Sequence, residues 1–189
     1  ALRKRRCCAL YTLHLNGYTK NKYPDGKEIR SDRGKGVMGM DQQNERLQKQ
    51  LAFSLEIDKE KNVLRQTHLS GHGRRENDAE HAWHMAIMAY LLREYSNEKV
   101  DIARVMLMCL IHDLVEIDAG DTYAYDTEGL KTQKAREDAA KERIFSILPE
   151  DQKTELTALF DEFEEGRTPE ARYAHAMDNL QLLLLNDSN

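Results

Sequence analysis

The chain has 189 residues, a formal net charge of −5 at pH 7 and an ordinary 40% share of hydrophobic residues. This length suits one domain with a substantial buried core, and the acidic balance argues against a dedicated nucleic-acid or membrane-surface binder. No run approaches the roughly 18 apolar residues that a bilayer-spanning helix needs. The three cysteines, two of them adjacent, form neither a disulfide framework nor a spaced zinc motif, so we expect a reducing, cytoplasmic compartment.

The first 40 residues differ from the rest of the sequence. They contain a basic block, RKRR, and several glycines, without a sustained helical or strand period. Neither a long apolar stretch nor a small-residue cleavage site indicates a secretory signal. We therefore predict a flexible or atypical N-terminal extension over 1–40 and one domain over 41–189.

From residue 41 onward the spacing of apolar residues is helical almost without interruption. The segment 78–95 is apolar nearly all round, which predicts an interior helix, and Asp101 is a plausible N-cap for a second apolar helix over 101–117. Other helices are predicted over 44–61, over 131–148, from Pro149 to a stop at Gly166, and from Pro169 onward. No strand pattern competes, so the predicted fold class is all-α.

The two apolar helices place several chemically active residues at one end of a helical hairpin. Their connector is centred near residue 97, with His81 16 residues before that point and His112 15 residues after it. Helices joined by a short connector pack antiparallel. We therefore expect His81 to lie level with His112 and Asp113.

The stretch CLIHDLVEIDAGD, residues 109–121, brings carboxylates into an apolar environment. A bare carboxylate in an apolar interior costs many kcal/mol unless it is paired or bound to a metal. Glu116 follows His112 by four residues, so the two share a helix side. Imidazole and carboxylate together suit Zn, Mn, Fe, Co or Ni, and Asp178 in the later HAMDNLQLLLL could complete the set.

This constellation resembles the HD-domain phosphohydrolases. Their mark is a His on one helix, an adjacent His-Asp pair at the end of another, and a distant Asp on a later helix. Here these are His81 in AEHAWH, His112 and Asp113 in IHDLVE, and Asp178 in AMDNLQ. The wider context, RRENDAEH followed by HDLVEIDAGD, is most similar to the 5′-deoxynucleotidase branch. The resemblance covers roughly residues 45–186, and the family usually continues further past its last ligand than this C-terminal end does.

The resemblance implies roles for these residues and for four others. His81, His112, Asp113 and Asp178 would be the ligands of a divalent metal ion (Co, Mn, Zn, Fe, Ni or Mg). Glu116 would orient or deprotonate a water, or hold the sugar, and Asp121 would transfer a proton to the leaving oxygen, with the opposite division left open. Arg65 and Arg74 would face the phosphate, with Arg75 as a substitute for Arg74.

Other residues have ordinary structural interpretations. We expect His84 and His175 to be satisfied helix histidines, Trp83 to pack in the core, and Asp118 to be a surface residue. Cys109, inside the apolar run, is expected to be a small buried hydrophobe.

The implied function is a metal-dependent phosphohydrolase, a 5′-nucleotidase that releases phosphate from nucleoside 5′-monophosphates and prefers deoxyribose. The alternatives are an HD-fold hydrolase of a deoxynucleoside triphosphate or of a cyclic or bis-phosphorylated nucleotide, and a non-catalytic nucleotide-binding regulatory module. A small-molecule nucleotide is the expected partner, without a nucleic acid polymer or a membrane. A homodimer is expected by analogy with the branch.

Overall fold

The computed structural model of the chain describes residues 37–120 and 127–189. Within these residues the backbone forms seven α-helices and one two-stranded sheet. In chain order the elements are α1 (Val37–Glu56), β1 (Leu64–His68), β2 (Arg75–Asn77), α2 (Asp78–Leu91), α3 (Ile102–Ile111), α4 (Glu116–Ala119), α5 (Thr127–Phe145), α6 (Glu150–Glu165) and α7 (Pro169–Asp187). The predicted all-α class is confirmed. The predicted N-terminal extension lies almost entirely outside the described residues.

Helices α2 and α3 form the centre of the core, and α7 packs against both of them. The start of α2 lies beside the end of α3, so the two helices run antiparallel as predicted. Several of their facing side chains are fully buried. Full burial of a large apolar side chain stabilises the fold by about 1.5–3 kcal/mol. Met85, Val105 and Met108 belong to this group, and Cys109 is fully buried as predicted.

A short antiparallel hairpin precedes α2, and the prediction that the domain lacks strands was wrong here. Strand β1 pairs with β2 from Leu64 opposite Asn77 to His68 opposite Arg75, with an irregularity between these pairs. A turn over residues 69–74 joins the strands, closed by a hydrogen bond from the Leu69 amide to the Arg74 carbonyl at 2.9 Å. The strands are short and rich in charged side chains, so they lack the apolar alternation that identifies a half-buried strand.

The second apolar segment is not one continuous helix, although we predicted a helix over 101–117. Asp101 caps α3 as expected, because its carboxylate accepts from the amides of Ala103 and Arg104. After Ile111 the backbone tightens into i→i+3 hydrogen bonds, including one from the Glu116 amide to the Asp113 carbonyl at 2.8 Å. This tight turn separates α3 from α4, which begins at Glu116.

The last helices begin and end at the residues that the sequence indicates. Helix α6 follows Pro149 and ends before Gly166, which adopts a left-handed conformation with φ +63°. Thr168 caps α7 by accepting from the Ala171 amide, and Pro169 occupies the first turn. These signals determine where α6 ends and where α7 begins, and α7 packs against the α2–α3 pair.

One side of α2 faces outward, which corrects the prediction that Trp83 packs in the core. Trp83 is 62% exposed. Ile87, Tyr90 and Leu91 follow it at helical spacing and are also exposed. The helix is apolar nearly all round, but only the side that contacts α3 and α7 is covered within the described residues. None of the described helices has both the length and the apolar character needed to cross a bilayer.

Candidate metal centre

His81 lies on the first turn of α2, and its side chain is fully buried. The local sequence fixes this position, because Asn77 and Glu80 form a reciprocal capping box that starts the helix just before it. The ring nitrogen Nδ1 lies 3.1 Å from Oε1 of Gln181. An amide oxygen only accepts hydrogen bonds, so Nδ1 donates and Nε2 presents its lone pair to the interior.

His112 and Asp113 follow directly after α3, and both side chains are buried. Nδ1 of His112 donates to the carbonyl oxygen of Cys109 at 2.9 Å, and its Nε2 lies 3.1 Å from Oδ2 of Asp113. The ring centroids of His81 and His112 are 5.5 Å apart. One ligand atom from each of His81, His112 and Asp113 lies within 4.8 Å of the others. The structure thus brings together the three residues that antiparallel helix pairing predicts.

Asp178 approaches this cluster from α7. Its Oδ1 lies 3.1 Å from Nε2 of His81, and its side chain is 32% exposed, so it forms the open side of the site. Burial alone would raise the pKa of the Asp178 carboxyl, but its close contact with the His81 ring and the positive charge of His112 lower it below its usual range. Asp178 is therefore held as an anion beside the two histidines.

The donor set fits a divalent cation. Nε2 of His81 is fully buried and makes no hydrogen bond of normal geometry within the described part of the chain. It nevertheless lies 3.1 Å from an Asp178 oxygen and 3.8 Å from Oδ2 of Asp113. A lone pair that faces two carboxylates is repelled unless positive charge lies between them. A divalent ion that accepts imidazole and carboxylate ligands satisfies all three groups.

The electrostatics of His112 and Asp113 show how the cluster is neutralised without a metal. Burial alone would lower the pKa of His112, but the charge and hydrogen bond of Asp113 raise it to about 9. Burial would likewise raise the pKa of Asp113, but the positive charges of His112 and Arg65 hold it well below its usual range. The pair is therefore ionic in the metal-free chain, and a metal ion has to displace the proton of His112.

Arg65 lies on β1, and its side chain reaches the His–Asp cluster. Its Nη1 donates to Oδ2 of Asp113 at 2.7 Å and lies 3.3 Å from Oδ1 of Asp78. The negative charges of Asp113 and Asp78 outweigh the effect of burial and raise the pKa of the Arg65 guanidinium further. The side chain is 17% exposed, so this cation remains reachable from solvent.

Asp78 is a site residue that the sequence analysis missed. It is fully buried, and burial together with the negative charge of Asp113 raises the pKa of its carboxyl to about 6. An acid in the first turn of a helix is usually explained by capping and the helix dipole. Asp78 precedes His81 by three residues, which puts both residues on one side of α2. This spacing is the feature of the sequence that could have identified Asp78 as a site residue.

Two further carboxyl groups lie around this cluster. Glu116 is half-buried and forms a side-chain hydrogen bond with Asp78. Glu60, which was not predicted, is buried in the 3-10 helix after α1. Burial raises the pKa of the Glu60 carboxyl to about 8, and the negative charges of Asp113 and Asp78 add to this.

Arg74, the second predicted phosphate ligand, is exposed and forms an ion pair with the carboxylate of Glu80. Arg75, its suggested substitute, donates instead to the carbonyl oxygens of Leu64 and Arg65. Within the part of the chain that the structure describes, neither guanidinium forms a hydrogen bond or ion pair with the His–Asp cluster. Arg65 is thus the predicted arginine that the structure brings to the cluster.

The remaining predicted residues are placed as follows. His84 is half-buried with Nδ1 3.3 Å from Nε2 of Gln181, and His175 stacks on Phe163 and donates to its carbonyl at 2.8 Å. Both histidines therefore have partners outside the His–Asp cluster, as expected of ordinary helix histidines. Asp121 lies outside the described residues.

Comparison with known proteins now gives the class of the chain. The HD-domain family pattern matches residues 57–189, which include the paired strands, α2–α7 and all four predicted ligands. The chain belongs to the HD-domain family.

Particular relatives point to a narrower group. The chain is 30% identical to 5′-deoxynucleotidase HDDC2 of Xenopus laevis over 109 residues, which cover 58% of this chain and 53% of that protein. It is 29% identical to 5′-deoxynucleotidase YfbR of Escherichia coli O127:H6 over 97 residues, covering 47% and 49% of the two chains. The chain thus matches about half the length of these curated relatives.

A solved structure gives a more extensive match. The fold is similar to that of a predicted metal-dependent phosphohydrolase from Magnetospirillum magnetotacticum MS-1, with a TM-score of 0.72 and 52% sequence identity. The match covers 76% of this chain and 72% of the other.

Proposed function

We propose that this protein is a metal-dependent phosphohydrolase that releases phosphate from nucleoside 5′-monophosphates and prefers deoxyribose. The observation that carries the proposal is a buried His–Asp cluster with a partly exposed guanidinium in direct contact with it. Membership of the HD-domain family supports the hydrolase class. The relatives named as 5′-deoxynucleotidases support the substrate class.

His81, His112, Asp113 and Asp178 would hold the metal ion. Their two imidazoles and two carboxylates leave the ion's identity open among Co, Mn, Zn, Fe, Ni and Mg, because the same ligands accept several ions. When bound, the ion supplies positive charge that shields the phosphate oxygens and lowers the pKa of a water toward neutrality. Phosphate monoesters hydrolyse extremely slowly unaided, so charge stabilisation has to provide most of the acceleration.

Arg65 binds a phosphate oxygen in this proposal. In the metal-free chain its guanidinium neutralises Asp113 and Asp78. With a cation at the cluster, the negative charge of Asp113 would be neutralised by that cation as well as by Arg65. The N–H donors of the Arg65 guanidinium would then be available to phosphate. Arg74 remains a proposed second phosphate contact, which would require its ion pair with Glu80 to open.

Glu116 and Asp121 are the proposed catalytic acids and bases. Glu116 orients or deprotonates the attacking water, or holds the sugar, and its hydrogen bond with Asp78 gives it a partner that can share a proton. Because the pKa of Asp78 is raised to about 6, that pair can exchange a proton near neutral pH. Asp121 protonates the leaving oxygen.

The proposal is tested by phosphate release from the full chain, stripped of metal with a chelator and then supplied separately with Co, Mn, Mg or Zn. The substrates are matched deoxy- and ribonucleoside 5′-monophosphates, with the 3′-monophosphates as controls for position. We expect metal-restored release that favours the deoxy 5′-esters. Release of triphosphate from a nucleoside triphosphate, or opening of a cyclic nucleotide, with no action on monophosphates would contradict the substrate class. Bound metal and nucleotide without turnover would indicate a binding module.

A further inference from the structure

A buried polar network lies behind His81, on the side away from the other proposed ligands. Gln181 is on α7, three residues after Asp178, and its side chain is fully buried. Its Oε1 lies 3.1 Å from Nδ1 of His81. Its Nε2 lies 2.7 Å from Oε1 of Glu76 and 3.3 Å from Nδ1 of His84. All the groups of one amide are therefore engaged.

Glu76 determines which way this amide faces. Its side chain is buried with 1% of the residue exposed, and its second oxygen is 3.3 Å from the hydroxyl of Thr67, which donates to it. A carboxylate accepts hydrogen bonds and cannot donate them. Rotation of the Gln181 amide by half a turn would place its oxygen against a Glu76 oxygen at hydrogen-bond distance, which is strongly unfavourable in a buried site.

The amide in turn determines the tautomer of His81. With its NH₂ group held by Glu76, Gln181 offers only its oxygen to Nδ1 of His81, so Nδ1 must carry a proton. In the neutral ring the lone pair then lies on Nε2, the nitrogen that faces Asp113 and Asp178.

We propose that Glu76 and Gln181 are positioning residues that hold His81 in the Nδ1–H tautomer and thereby prepare Nε2 to bind the metal ion. This inference rests on the proposed function only in so far as His81 is a ligand. Partners of this kind fix the orientation of a ligating imidazole and increase its basicity.

The two proposed histidine ligands differ in how their orientation is fixed. Nδ1 of His112 donates to the backbone carbonyl of Cys109, three residues earlier on the same chain segment. Nδ1 of His81 depends on side chains from β2 and α7, which come from distant parts of the sequence. The tautomer of His81 is therefore open to change by substitution, whereas the ring signals of His112 serve as an internal reference.

The primary test is long-range ¹H–¹⁵N correlation spectroscopy of the metal-free full chain, at a pH where His81 is neutral. The spectrum distinguishes protonated from unprotonated ring nitrogens, and His81→Gln identifies the signals of His81. We expect Nδ1–H alone in the wild type and a mixture of tautomers in Glu76→Gln, because an amide at position 76 can donate as well as accept. In Gln181→Leu the preference for Nδ1–H should be lost, while the signals of His112 stay unchanged.

A second measurement follows metal binding without using activity. Competition with a chromophoric chelator for Zn or Co should show affinity reduced about ten- to hundredfold in Gln181→Leu, the range typical for loss of such a partner. Gln152→Leu is the matched control. It removes an amide that accepts from Gln50 at 2.9 Å between α1 and α6, neither of which carries a proposed ligand, and should leave affinity within about twofold.

The double variant Glu76→Gln/Gln181→Glu keeps the test informative if a single variant folds poorly. It exchanges the two groups, so that the amide donates and the carboxylate at position 181 accepts from His81. We expect the Nδ1–H tautomer to return.

Retention of pure Nδ1–H in both Glu76→Gln and Gln181→Leu, with chelator-measured affinity unchanged, would overturn the inference. Because the spectrum needs neither metal nor substrate, absence of phosphate release would contradict the proposed function without affecting this result.

Discussion

Arg65 donates to Oδ2 of Asp113 at 2.7 Å, and this same oxygen lies 3.1 Å from Nε2 of His112. A single carboxylate oxygen thus collects a guanidinium from β1 and an imidazole from the end of α3. In the metal-free chain these two cations hold the pKa of Asp113 well below its usual range. Metal binding therefore has to redistribute existing ion pairs, and Asp113 is the residue whose loss should have the largest effect.

We expect Asp113→Asn to abolish both metal retention and hydrolysis. The substitution keeps the shape of the side chain but removes the negative charge that pairs with His112 and Arg65. Metal content after dialysis, measured by atomic emission, and phosphate release are the two readouts. Asp118→Asn is the matched control, because Asp118 is exposed and pairs with Arg143. Full metal content and activity in Asp113→Asn would disprove the proposed site.

The two neighbouring histidines of α2 should differ sharply. We expect His81→Ala to lose the metal, and His84→Ala to retain it with activity within about threefold of wild type. Among the contacts of the described residues, His84 meets the network through Nε2 of Gln181 at 3.3 Å, and that amide also donates to Glu76 at 2.7 Å. Metal analysis and steady-state kinetics of both variants provide the measurement. Equal losses would mean that the wrong histidine had been assigned as a ligand.

Arg65 should matter for substrate more than Arg74 does. We expect Arg65→Met to reduce kcat/KM by about ten- to hundredfold, since a hydrogen bond to a charged group is worth about 1.5–3 kcal/mol. Arg74→Met should cause a smaller loss, up to about fivefold, because Arg74 has to leave its ion pair with Glu80 and an exposed charge contact contributes about 0.2–1 kcal/mol. Initial rates over a range of nucleotide concentrations would measure both. An unchanged kcat/KM in Arg74→Met would remove Arg74 from the proposed phosphate contacts.

Glu116→Gln should separate metal binding from turnover. The side chain hydrogen-bonds with Asp78 and is not part of the His81, His112 and Asp113 cluster, so metal content should stay near wild type. Loss of a group that handles a proton in the transition state should lower kcat by about 10²–10⁴-fold. A variant that instead loses its metal would assign Glu116 to the ligand set, and one that keeps its kcat would remove it from the chemistry.

Glu60 should make the metal-free protein less stable as pH rises. Its folded-state pKa is raised from 4.5 to about 8, so the unfolded chain releases this proton at a lower pH than the folded chain does. The contribution of protonated Glu60 to the free energy of unfolding is therefore fully present below about pH 4.5, and it is lost progressively as the pH rises to about 8. We expect Glu60→Gln to remove a large part of this decline, on the order of a few kcal/mol.

The measurement is urea unfolding between pH 5 and pH 9 in the presence of a chelator. Exposed Glu155→Gln is the control and should leave the pH dependence unchanged. Parallel curves for the wild type and Glu60→Gln would show that Glu60 is not the titrating group.

The convergence of His81 with His112 and Asp113 could be predicted because it needs only two apolar helices, a short connector and nearly equal spacing from that connector. Burial and helix pairing then leave little freedom in how the hairpin closes. The N-cap at Asp101 and the stop at Gly166 were predictable for a similar reason, since capping depends on residues a few positions apart.

The roles of Asp78 and Gln181 could not be read from local pattern. Each has an ordinary explanation on its own helix, Asp78 as an acid in a first turn and Gln181 as a polar residue before a leucine run. Their function depends on partners 13 to 105 residues away along the chain. The same limit explains why the prediction that Trp83 is buried was wrong. Helical periodicity does not indicate which apolar side of α2 another helix will cover.

Helix α7 brings Asp178 to a partner 97 residues earlier in the chain, His81. During synthesis the α2–α3 hairpin emerges first and can form from local contacts, whereas the site is incomplete until α7 docks. A bound ion would then hold α7 against the α2–α3 pair, because it would bind only the docked arrangement and stabilise it by mass action. Metal binding and docking of the C-terminal helix would then be coupled. A higher concentration of free metal would increase the docked fraction and so lengthen the lifetime of the folded protein.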